Sequence, residues 1–154
     1  MEGSAKLAAV VSGGQTGVDR AALDVALERN LPCGGWCPAG RWAEDGPIHP
    51  RYPLRETPSA DPAERTAWNV RDSDGTVLLA TAAESLGTER TRATARRLGR
   101  PVYRWRLDAP PDAGHFHRWL REHGIRTLNV AGPRESESPG IHAAARDWLR
   151  AVLP

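Results

Sequence analysis

Lysine is almost missing from this 154-residue chain: Lys6 stands alone among 21 basic residues. That sets aside a Walker-type phosphate lysine and a Schiff-base lysine. Any anion held by a side chain is expected to be held by the planar fork of an arginine. Cysteine is scarce too. Cys33 and Cys37 sit in CGGWC with no second pair, so a structural zinc site, which needs about four ligands, is not expected. No apolar run approaches the roughly 20 residues of a membrane span, and the opening MEGSAKLAAVVSGG has no signal-like segment. A cytoplasmic protein without a membrane partner is expected, and a disulfide is not. Lys and Arg number 21 against 19 Asp and Glu, a balance that does not call for nucleic acid.

The chain is 40% hydrophobic and 26% charged, which fits one globular domain over residues 1–154. Apolar runs alternate with amphipathic stretches. Strands are expected at Leu7–Ser12, Gly34–Cys37, Thr76–Thr81, Val102–Trp105 and Thr127–Ala131. Helices are expected at Thr16–Arg29, Ala63–Val70, Thr88–Leu98, Asp112–His123 and Pro139–Val152. The stretch from Pro38 to Pro62 is proline-rich with few apolar anchors, and reads as a long loop, functional or in contact with a second subunit. Strands separated by helices imply βαβ units. The expected fold is α/β, a Rossmann-like three-layer domain: a mainly parallel five-stranded sheet with helices on both faces.

In such sheets ligands bind beyond the carboxyl ends of the strands. The bends there carry glycines, hydroxyls and arginines. After the first strand come Ser12, Gly13, Gly14, Gln15, Thr16 and Gly17, and Arg41 follows the second. Ser85, Gly87, Thr88 and Thr91 follow the third, and Gly132, Arg134 and Ser136 the last. Exposed N–H groups beside helix N-termini favour anions, so these residues are the expected ligand site. The glycines read G-G-x-x-G, not the dinucleotide G-x-G-x-x-G. Asp19 reads as a helix N-terminus residue, and Arg65 and Asn69 share a helix face. No metal site is expected, since His115 and His117 read as helix surface.

SGGQTGVDRAALD, GGWCPAGRWAEDGPI, RTAWNVRDSDGTVLL, GTERT and LNVAGPRES follow in order between Val10 and Leu149. Together they resemble the putative molybdenum carrier family, Rossmann-like proteins related to the lysine-decarboxylase-like phosphoribohydrolases. The resemblance implies self-association, as a dimer or tetramer. It also implies a small anionic ligand: the molybdenum cofactor, molybdate or a nucleotide. The phosphoribohydrolase relatives place a glutamate shortly after a G-G-x-G-T turn. Here Gly87-Thr88 runs directly into Glu89, so their catalytic pair does not carry over. Glu84 and Glu89 are the catalytic candidates for the alternative, a hydrolase acting on a nucleotide derivative.

Overall fold

The computed structural model describes residues 6–81 and 86–154. Strand β1 (Ala9–Val11) leads through α1 (Val18–Glu28) to β2 (Cys33–Gly34). Four short strands follow: β3 (Trp36–Cys37), β4 (Trp42–Ala43), β5 (Gly46–Pro47) and β6 (Arg55–Glu56). Then come α2 (Pro62–Arg71), β7 (Gly75–Ala80), α3 (Leu86–Arg97), β8 (Val102–Arg106), α4 (Ala113–Glu122), β9 (Thr127–Ala131) and α5 (Ile141–Val152). Among the described residues no helix is long and apolar enough to cross a membrane.

Strands β2-β1-β9-β7-β8 form one parallel sheet in that order. Every residue of β7 is buried, which is why GTVLLA reads as an unbroken run rather than an alternating one. The main core joins Val10, Val77, Leu79, Leu128 and Val130 of the sheet to apolar faces of α1, α4 and α5. Helix α2 packs against α3. Counted from β9 onward, with β1 second, the order becomes 3-2-1-4-5, the order of a doubly wound sheet. The point where it reverses, and where such sheets bind ligands, lies between β9 and β7.

The expected strand Gly34–Cys37 is broken in two. Gly35, at φ 124°, turns the chain, and a Cβ there would stand 2.4 Å from the Ser12 carbonyl oxygen. Cys33 and Gly34 stay with β1, whereas Trp36 and Cys37 pair with Arg55 and Glu56. Asn69 holds the departing strand, accepting from the Trp36 N–H at 2.8 Å and donating to its carbonyl at 2.9 Å. The long segment is also less bare than expected. It contains the β4–β5 hairpin and β6, and Ala43, Ile48, Tyr52 and Leu54 pack on Leu23 and Cys37. The expectation of few apolar anchors in this segment therefore does not hold.

Candidate functional site

Two glycine-rich bends meet beyond the sheet's carboxyl edge. In the bend after β1, the Ser12 hydroxyl donates to the Asp19 carbonyl at 2.8 Å and closes the turn onto α1. Gly17, at φ 78° and ψ −131°, adopts a backbone open essentially to glycine alone. A Cβ on it would lie 2.4 Å from the Pro133 carbonyl oxygen, in the bend after β9. A Cβ on Gly132 would lie 2.4 Å from the carbonyl oxygen of Leu79 in β7. Both glycines are required by close approach.

Where the bend after β1 and the end of β9 meet α2 and α3 is a cavity of about 60 Å³ lined by Gly13, Asp19, Arg65, Asn69, Thr91 and Gly132, among others. A cavity of about 250 Å³ shares Asp19, Arg65, Thr66 and Gly132 with it and adds Gln15, Arg90, Arg134 and Glu137. Helix α2 carries Arg65 to the centre. Its Nη1 would lie 1.8 Å from a Cβ on Gly13, so only glycine leaves room for the guanidinium. Nη1 donates to Asp19 Oδ2 at 3.1 Å, with the two side chains 13% and 9% exposed. Burial pushes the Asp19 carboxyl above its ordinary range, and the Arg65 charge and the Gln15 N–H pull it back only in part.

A second hollow lies on the other flank of the same bends, with Thr16, Arg20, Asp24, Glu44, Ser136 and His142 in its lining. Its donors already hold a carboxylate from the β4–β5 hairpin. Glu44 accepts from the Thr16 hydroxyl, from the Ser136 N–H at 3.1 Å and from the Ser136 hydroxyl at 2.5 Å. Arg134 Nε stands 3.3 Å away. Burial pushes this carboxyl up, but the Ser136 and Thr16 hydrogen bonds outweigh it and leave it below its ordinary range. Gln15 Oε1 accepts from the N–H groups of both Thr16 and Glu44, fastening hairpin to bend. Glu135 likewise accepts from the Gly140 and His142 N–H groups at the start of α5.

A model of the circularly permutated YpsA SLOG family matches residues 10–153. The chain belongs to this family. Counted from β9, the strand order is that of an ordinary doubly wound sheet, in keeping with a circularly permutated chain. The crystal structure of "Putative molybdenum carrier protein" from Syntrophus aciditrophicus SB is 39% identical, covers 99% of this chain and 98% of that one, and superposes with a TM-score of 0.94. No curated protein matches the chain.

Within this permuted YpsA-type fold the expected ligand residues divide into groups. Gly13, Thr91 and Gly132 line the small cavity, and Gln15 and Arg134 the adjoining one. Thr16, Gly17 and Ser136 line the hollow that Glu44 enters. Gly14, at φ 78°, is pressed against Leu54 and Ile48. Thr88 is buried within α3, and Gly87 is in that helix's first turn. Arg41 was expected to clamp an anion, but its guanidinium donates to the carbonyls of Ile48, His49, Tyr52 and Leu54 at 2.9–3.3 Å. The long segment curls around it and leaves its fork occupied. Glu89 pairs with Arg92 at 3.0 Å on an exposed face of α3, outside the cavity lining. Glu84 and Ser85 lie outside the described residues. Among the described residues no cluster of His, Cys, Asp or Glu could hold a metal ion.

Arg65 and Asp19 stand at the centre although neither belongs to a glycine bend. One signal for Arg65 was its i, i+4 spacing with Asn69. For Asp19 it was the place in the first turn of the helix that follows the bend. Neither spacing reveals that the two meet.

Proposed function

We propose that this protein binds a small ligand through an oxyanion group, a phosphate or molybdate, in the cavity that β9 and the bend after β1 form with α2 and α3, and acts as a carrier. The observation that carries the reading is the Arg65 guanidinium, laid against Gly13 and held by Asp19 in that cavity. Arg90 and Arg134 border the adjoining cavity. The inner space suits an anionic head, and the wider one suits the body of a cofactor or nucleotide. The relative named as a molybdenum carrier makes the molybdenum cofactor and molybdate the first ligands to try. A dimer or tetramer belongs to the same proposal and is read by light scattering.

Isothermal titration of the whole chain with molybdate, molybdopterin and nucleoside monophosphates tests it. A dissociation constant below about 1 mM is expected for at least one of them. Arg65→Lys keeps the charge but loses the fork, and is expected to weaken binding about tenfold or more. Absence of binding at millimolar concentrations, or an unchanged constant in the variant, overturns the assignment.

A further inference from the structure

We infer that Asp19 makes this cavity select an oxyanion that brings a proton with it, inorganic phosphate or a phosphate monoester, over one that stays fully ionised, such as sulfate or molybdate. The inference rests on the anion-binding reading above and deepens it.

A carboxylate in the wall of an anion cavity repels the ligand unless a proton lies between them. Asp19 is such a wall: its side chain is 9% exposed and it lines both the inner and the wider cavity. Bulk water and salt screen a buried charge of this kind poorly. The charged groups around it come from every neighbouring element. Arg65 faces it from α2, Arg20 from α1, Arg90 from α3, and Arg134 and Glu137 from the bend after β9. Three guanidiniums, of Arg65, Arg90 and Arg134, line the wider cavity with two carboxylates, of Asp19 and Glu137, and Glu44 stands 3.3 Å from Arg134, so the charges balance. A proton at Asp19 leaves one net positive charge.

Burial raises the proton affinity of Asp19 above that of an ordinary carboxylate. The dianion of inorganic phosphate still carries an exchangeable P–O–H at neutrality, and a phosphate monoester, whose second ionisation is at about pH 6, carries one in about a tenth of its molecules at about pH 7 and regains it at a cost of about 1.4 kcal/mol. Either can donate that hydrogen to Asp19 Oδ while its other oxygens accept from Arg65. Sulfate has no such proton, so Asp19 must first take one from solvent. In either case a single proton ends between ligand and carboxylate. Were Asp19 only a counter-ion that positions Arg65, it would oppose phosphate and sulfate alike.

The test is isothermal titration of the whole chain with inorganic phosphate, a nucleoside monophosphate, sulfate and molybdate, each in buffers of differing ionisation enthalpy. Near pH 7 phosphate or the monophosphate is expected to bind about tenfold or more tighter than sulfate and molybdate. Sulfate binding is expected to tighten between about pH 7.5 and 5.5 with uptake of about one proton. In Asp19→Asn the phosphate-to-sulfate ratio is expected to fall to within about threefold, and the pH dependence of sulfate binding to vanish. The proton count on the unmodified chain decides the matter even if that variant fails to fold. Equal binding of phosphate and sulfate without proton uptake overturns the role of Asp19 and leaves the anion reading standing. Failure of every anion to bind overturns both.

Discussion

The two hollows flanking the glycine bends are built from the same kinds of donor, yet only one is filled by the chain itself. On the α1–α5 flank, Thr16, Ser136 and Arg134 surround the Glu44 carboxylate. On the α2–α3 flank, Arg65 rests on Asp19 and space remains beside it. The difference lies in reach. The β4–β5 hairpin, fastened through Gln15, delivers a carboxylate to the first set of donors. In the inner cavity the second set receives Asp19, from the helix beneath. Donor-rich bends attract anions generally, and a fold's own carboxylates compete for them.

The severest way to break this comparison is at the joint both hollows share. Gly17→Ala adds a Cβ 2.4 Å from the Pro133 carbonyl in a conformation that side chains avoid. A loss of about 4 kcal/mol is expected from strain plus overpacking, read by urea denaturation. Next is Arg65→Ala, which strands a buried carboxylate. About 3 kcal/mol of stability is expected to go, and anion binding with it.

Glu44→Gln should sharpen the comparison. It is expected to cost about 1 kcal/mol or less, since the group is partly exposed, and to leave binding at the Arg65 cavity unchanged. Glu44 is held below its ordinary range, so its stabilisation is present above the unfolded carboxylate value and lost as pH falls through the lowered folded value. The variant should therefore lose part of the acid sensitivity seen in Tm scans. Asp19 has the opposite sign. Its contribution is fullest below the unfolded carboxylate value and is lost as pH rises through the raised folded value. The smallest expected effect is thus a drift. The Tm of Asp19→Asn relative to the unmodified chain should climb as pH rises from about 4 to about 7. A flat or falling difference would contradict the burial argument.

Much of the layering was legible because it is local. TVLLAT declares a strand buried on both faces, and Gly99 and Gly124 mark helix ends at the expected places. The break at Gly35 was not legible, since it depends on the Ser12 carbonyl lying directly opposite. The strand order was hidden as well, because pairing β1 with β9 leaves no mark on either segment. Within the site, the glycines announced where backbone approaches closely. Arg41 and Arg65 looked alike as isolated arginines. Only the packed chain shows that one is wrapped in carbonyls and the other borders a cavity.

The position of β9 bears on how the molecule is made. The middle strand of the sheet is synthesised last, and Val10 must wait for Leu128 before it gains that neighbour. Until then the nascent chain carries two half-sheets, β2-β1 and β7-β8, each with a raw inner border of unpaired amides facing the missing strand. Closure at such long range is slow. Borders of this kind invite pairing with other chains, so while it emerges from the ribosome this protein should depend on chaperones more than a sheet built outward from its first strand.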